Sequence, residues 1–200
     1  ALHASGVALP RRHGLADELR PLAGRVEGLA ATHPDLGAVA RRCLAAVLRG
    51  AGAGVGGGAD GGRGADAAAP DGDAGWRWRP VHRDFYHDQV LVDGAGGLAV
   101  LDFDDAALSE PAVDVANFGA HLRLLAEQRP ADRAAIERCR VAFAARCTAR
   151  DAGLDGARVR LLEAATCLRL AAIHAPRADG RRLAAAMLET ALRRLGEAVG

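Results

Sequence analysis

Two short runs of β-forming residues, Val90 to Val92 and Leu98 to Leu101, flank Asp93-Gly94-Ala95-Gly96-Gly97. A Gly-rich turn between such runs predicts a β-hairpin. No other local pattern in the chain is as restrictive, because a hairpin returns the backbone onto itself. Polar residues crowd both of its ends. His82, Asp84, His87, Asp88 and Gln89 precede it, and Asp102, Asp104 and Asp105 follow it. The fold-back therefore predicts that Asp84 and Gln89 lie close to Asp102. Carboxylates packed so closely repel one another unless a divalent metal, a shared proton or an Arg neutralises them. Oxygen donors with no Cys among them suit Mg²⁺, which typically takes one or two carboxylates together with substrate phosphates.

The spacing carries further information. His82-Arg83-Asp84, with the amide residue Gln89 five positions after the Asp, has the layout of a kinase catalytic loop, and Asp102-Phe103-Asp104 sits one hairpin later, where such a site has Asp-Phe-Gly. Residues 82 to 116 resemble the aminoglycoside phosphotransferase and choline kinase-like family, small-molecule relatives of protein kinases. That family reads His-Gly-Asp-x-x-x-x-Asn, a hairpin, (Ile/Leu)-Asp-Phe-(Asp/Gly), then Asp-Pro-x-x-Asp-(Leu/Val)-Ala. Here the matching residues are His82, Asp84, Gln89, Leu101-Asp102-Phe103-Asp104 and Glu110-Pro111-Ala112-Val113-Asp114-Val115-Ala116. Arg83 replaces the common Gly, Glu110 the common Asp, and Gln89 the common Asn, reaching one methylene further.

Composition bounds the rest. The 200 residues are half hydrophobic, enough for one substantial core. Net charge is +1, which points to neither nucleic acid nor an anionic membrane as partner. No apolar run is long enough to cross a bilayer, and the N-terminal residues lack the pattern of a signal peptide. Cys43, Cys139, Cys147 and Cys167 form no Cys-x-x-Cys pair and sit in apolar, helix-like contexts. They read as buried free thiols in a reducing compartment, which suggests the cytoplasm. All 26 basic residues are Arg. A complete kinase site needs a Lys from the small lobe to hold the α/β-phosphates, so the expectation is a large C-terminal lobe without its N-terminal nucleotide lobe.

The fold class expected is α+β and mostly helical, with the hairpin carrying the active site. Residues 1 to 49 read as helical, with Leu15, Leu19, Leu22, Val26 and Leu29 on one face. A break at Pro34 precedes a second helix from Asp35 to Leu48. The opening Ala-Leu-His-Ala resembles the start of the family's first large-lobe helix. Residues 50 to 75, rich in Gly, Ala and Asp, read as a flexible insertion, in which the Gly-x-Gly-x-x-Gly match at Gly52 to Gly57 lacks the strand and helix that a phosphate loop requires. Trp76 to Val81 reads as a short strand with an aromatic face for the core. Further helices are expected over residues 112–126, 131–150, 156–174 and 181–197. Their stripes, including Ile136, Val141 and Phe143, suit bundle packing, and most of their Arg residues are expected to face water.

The resemblance assigns roles. Asp84 is the catalytic base that takes the proton of a substrate hydroxyl, and Asp102 and Gln89 are Mg²⁺ ligands. His82 packs behind the loop and hydrogen-bonds backbone near Asp102. Asp114 braces the loop, or caps its own helix. Arg83, His87 and Asp104 are possible further contacts. His3, His13, His33, His121 and His174 receive no role. Three readings stay open. The first is the catalytic lobe of an ATP- and Mg²⁺-dependent kinase that phosphorylates a small hydroxyl compound such as an aminoglycoside, choline, a sugar or homoserine. The second is a catalytically silent binding or remnant module of the same fold. The third is a metal-dependent hydrolase using His82, Asp84 and Asp102.

Overall fold

The computed structural model describes residues 2–53 and 76–196. Among these, six α-helices run in the order α1 (Leu15–Thr32), α2 (Pro34–Ala53), α3 (Ala112–Gln128), α4 (Arg133–Arg150), α5 (Gly156–His174) and α6 (Gly180–Leu195). Four short strands lie between α2 and α3: β1 (Arg79–Val81), β2 (Val90–Val92), β3 (Leu98–Val100) and β4 (Ala107–Ser109). The protein is α+β and mostly helical. No described helix is long and apolar enough to cross a membrane.

The starts of α1 and α2 suit the residues that the sequence places there. The Gly14 N–H donates to the Asp17 carboxylate at 3.0 Å, and Asp17 and Glu18 set negative charge in the first turn of α1. Pro34 opens α2, where its missing N–H costs nothing. Gly37 permits the close approach of α2 to α1, since a Cβ there would lie 2.6 Å from the Ala30 Cβ. α6 ends on Gly196 at φ 73°, a left-handed cap.

α5 is the central helix and packs against α1, α2, α3 and α6. Its buried residues surround the axis, as expected of a helix enclosed by neighbours. Leu168 meets a core that includes Leu22, Val26, Val47, Met187 and Leu188. Each such large side chain contributes roughly 1.5–3 kcal/mol by leaving water.

The strands form two separate antiparallel pairs. β2 pairs with β3 (Val90 opposite Val100, Val92 opposite Leu98), which is the expected hairpin. The Asp93 carboxylate closes the turn by accepting from the N–H groups of Ala95 and Gly97. β1 pairs with β4, with Val81 opposite Ala107, so the residues after the hairpin return beside those before it.

Several expectations are corrected. The Trp76 to Val81 strand is confined to Arg79–Val81, and β4 had no period-two pattern to announce it. Trp76 is nonetheless buried in the core, with Trp78 6.4 Å away. Residues before α1 are not helical beyond a 3-10 turn at Leu2–Ala4. Gly6, Pro10 and Gly14 interrupt any helix there, and the strand edge captures the backbone instead: His13 N–H donates to Leu108 O, and Leu108 N–H to Arg11 O. The opening residues thus do not start a large-lobe helix. α2 runs on to Ala53, through the first residues of the expected insertion, while residues 54–75, with most of the Gly-x-Gly-x-x-Gly match, lie outside the described residues. α4 has no fully buried residue and Val141 is 52% exposed; the helix holds to α3 through Phe143, whose ring lies 4.3 Å from that of Phe118. Cys139 is exposed and Cys147 half-buried, so only Cys43 and Cys167 are buried thiols.

Most Arg residues of these helices face water, and two turn inward to a buried acid. Glu163 on α5 is 3% exposed and takes Arg123 of α3 at 2.6 Å and Arg194 of α6 at 2.5 Å. A buried ion triad is a poor net stabiliser, but removing its shared member strands like charges. We expect Glu163→Ala to lower unfolding free energy by about 3 kcal/mol in urea titrations. A change under about 1 kcal/mol would mean that water already shields the pair of guanidiniums.

Candidate functional site

The loop from His82 to Gln89 joins β1 to the hairpin, and it is held by one carboxylate. Asp114, in the first turn of α3 and 3% exposed, does not cap its own helix. Its Oδ2 accepts from the His82 N–H at 2.9 Å and from His3 Nε2 at 2.8 Å, and its Oδ1 accepts from the Arg83 N–H at 2.8 Å. Arg83 needs this grip, because it stands at φ 70°, a left-handed conformation that costs a side-chain-bearing residue on the order of 1 kcal/mol. Position 83 is where the kinase-like pattern has Gly, and the backbone retains the shape that Gly favours.

A second bond crosses the hairpin base. His82 Nε2 donates to the Leu101 carbonyl at 2.6 Å, so Nε2 carries a proton. The His82 ring lies 4.8 Å from that of Phe103. The Leu101 N–H donates to Gln89 O at 2.9 Å, so the ladder continues past β2 and β3 to the two polar ends. There Gln89 Nε2 meets Asp102 Oδ2 at 3.4 Å. Asp102 also lies in the left-handed region, at φ 58°.

Asp84 is half-buried at the apex of the loop. It shares surroundings with Asp102 around Tyr86, whose phenol is pushed above its ordinary value by burial and then by the charges of Asp84, Asp88 and Asp102. Asp84 also lines a cleft of about 250 Å³ between α1, α3 and α5, together with Glu18, Arg25, Arg83, Asn117 and Arg169. The Asn117 amide donates to Phe85 O at 3.1 Å and accepts from Arg169 Nη2 at 2.6 Å, joining the loop to α5. Burial lowers the Arg169 guanidinium from its usual range, against the opposing pull of Glu18 and Asp84. Burial raises Glu18, but the hydrogen bond and charge of His13, with Arg83 and Arg169, outweigh it and the net direction is down.

The remaining candidates are placed as follows. Arg83 pairs with Glu18 and with Asp105, each at 3.5 Å. His87 Nε2 lies 3.4 Å from Asp88, and its Nδ1 is buried without a hydrogen-bond partner. The Asp104 side chain is exposed; its carbonyl accepts from Arg11. Sequence reasoning missed His3, His13, Asn117, Arg169 and His121. No motif spacing marks these residues; they reach the site by helix packing and by the strand-edge path of residues 2–13. His121 stacks on Tyr86 at 4.5 Å and is pushed down to about 3, by burial first and then by Arg169, His87 and His174.

As a ligand set for a metal, one exposed carboxylate and one amide are oxygen donors of the type Mg²⁺ accepts when substrate phosphates complete its shell. Among the described residues no group of three or more His, Cys, Asp or Glu gathers to hold a metal by itself. Asp102 and Gln89 therefore fit a shared protein–substrate shell and not an all-protein cage.

The model of the phosphotransferase enzyme family matches residues 1–146 of this chain. The chain belongs to that family. No curated protein and no solved structure matches it. The matched span contains the Asp114 clasp, the hairpin, Asp84 and Asp102, whereas α5 and α6 lie beyond it. Arg169, on α5, is thus a site residue contributed by the part of the chain that the family model does not cover.

Two outcomes follow from the clasp and the aromatic stack. Asp114→Ala leaves the His82 and Arg83 amides without their acceptor, and we expect a loss of about 3 kcal/mol in urea unfolding, with Asp114→Asn recovering part of it. His121 binds a proton in the unfolded chain near pH 6.5 but in the folded one only near pH 3. Its contribution is present above pH 6.5 and is lost as pH falls through that window. Between pH 7 and pH 5 the loss is about 2 kcal/mol, and His121→Phe should remove that part of the pH dependence of urea unfolding.

Proposed function

We propose that this chain is the large lobe of a protein-kinase-like phosphotransferase that moves the γ-phosphoryl group of ATP to a hydroxyl of a small molecule. The observation that carries the reading is that Asp84, which lines the cleft, belongs to the same loop as Gln89, which meets Asp102. That loop thus reaches both the Gln89–Asp102 pair and the cleft. A nucleotide at the first and an acceptor in the second would meet at this one carboxylate.

Asp84 orients the acceptor hydroxyl and takes its proton as the oxygen attacks the γ-phosphorus. The new O–P bond forms, the bond from the γ-phosphorus to the β,γ-bridging oxygen breaks, and ADP leaves with that electron pair. Asp102 and the Gln89 amide would hold Mg²⁺, which when bound neutralises the charge of the phosphate oxygens. His82 keeps the hairpin base against the loop, and Asp114 fixes the backbone of both His82 and Arg83. A separate nucleotide lobe supplies the phosphate-binding Lys, a residue type that these 200 residues lack. The acceptor classes offered by the resemblance are aminoglycosides, choline-like amines, sugars and homoserine. Four free thiols suit a reducing compartment such as the cytoplasm.

The test is transfer of labelled γ-phosphate from ATP to a panel of small hydroxyl compounds, with the lobe joined to its nucleotide-binding partner. Asp84→Asn should lower kcat by about a hundredfold or more with little change in the KM for ATP. Asp102→Asn should raise the Mg²⁺ concentration required for half-maximal rate. Full transfer by Asp84→Asn would remove that residue from the chemistry.

A further inference from the structure

The charged groups that line the cleft are not all paired with one another. Glu18 is engaged by His13 at 3.0 Å and by Arg83 at 3.5 Å. Asp17 is engaged by Arg20 and by the Gly14 N–H, and Asp105 by Arg11 and Arg83. Two guanidiniums remain, Arg25 on α1 and Arg169 on α5. Among the described residues no carboxylate forms an ion pair with either; Arg169 has only the neutral Asn117 oxygen at 2.6 Å. Arg25 is close enough that its charge opposes that of Arg169. Glu18 and Asp84 act on the half-buried Arg169 more strongly than Arg25 does, yet neither reaches ion-pair distance, so both guanidiniums keep N–H donors for an added anion. Asp84, the remaining acid of the cleft, is reserved for the acceptor hydroxyl under the phosphotransfer reading.

On that reading, we infer that the acceptor carries an anionic group, a carboxylate or a phosphate ester, beside the hydroxyl that is phosphorylated, and that Arg25 and Arg169 hold it. Planar guanidiniums match such groups bidentately. The anion belongs to the acceptor and not to the nucleotide, because Gln89 and Asp102 do not line this cleft. A hydroxy acid or a hydroxyalkyl phosphate satisfies both halves of the cleft. A polycationic aminoglycoside or choline would place like charge against Arg25 and Arg169, a repulsive arrangement that rejects it.

Calorimetric titration of the 200-residue chain with glycerate, glycerol 3-phosphate, glycerol and choline tests this without any transfer step. Glycerate or glycerol 3-phosphate should bind at least about tenfold more tightly than glycerol and choline. Arg169→Gln and Arg25→Gln should each abolish that preference, whereas Arg138→Gln, on the exposed side of α4, should keep it. Arg25 is itself exposed, so its variant decides the matter even if Arg169→Gln melts at a lower temperature. Tighter binding of choline, or an anion preference that survives both substitutions, overturns the proposal. So does a fall in Mg·ATP affinity in Arg169→Gln with glycerate affinity unchanged, which would give the guanidinium to the nucleotide. Failure of the complete enzyme to transfer labelled phosphate to any hydroxyl compound would sink the phosphotransfer reading and leave these titrations unchanged, so the two failures are told apart.

Discussion

The site depends on a single buried carboxylate. Asp114 spends its acceptor capacity on residues that lie far away in sequence, the amides of His82 and Arg83 and the imidazole of His3. Buried polar groups must find partners, and a carboxylate that accepts three charge-assisted bonds satisfies them at one point. Without it, the left-handed turn at Arg83 has nothing to offset its backbone cost. Asp84 follows immediately, so the placement of the carboxylate proposed as base is inherited from the grip on the two residues before it.

The grip acts on main-chain N–H groups, which leaves the side chain of position 83 available for other work. Arg83 uses that freedom to reach Glu18 and Asp105. It thereby helps to engage the acids of the cleft, and among the described residues Arg25 and Arg169 are left without an ion-pair partner. Replacement of the family's common Gly is therefore tied to the cleft's electrostatics.

The hairpin, the catalytic-loop spacing and all six helices were legible because each rests on local rules: turn chemistry, fixed offsets and 3.6-residue periodicity. Gln89 meeting Asp102 follows from hairpin closure alone. β4 was not legible, since Ala107-Leu108-Ser109 has no alternation that separates it from loop, and its pairing with β1 is a long-range event. The stretch before α1 misled because Ala and Leu suggest helix, whereas Gly6, Pro10 and the strand edge decide otherwise. Val141 misled because a stripe on α4 reports an apolar face without reporting what covers it. Arg169 and His121 were illegible for a related reason: tertiary packing, not spacing, brings them to the loop.

The two halves of the site differ in stiffness. Asp84 is fastened through the loop to α3 and, by way of Asn117, to α5, in the densest part of the protein. Asp102 instead follows a ribbon of two three-residue strands whose side chains, Leu98 at 72% exposure foremost, lie in water. Such a ribbon has little independent stability, and segments with few buried contacts open most readily. One end of the proposed reaction thus rests on an anvil and the other hangs from a spring. Whatever seats itself on the hairpin's outer surface would set the distance between them.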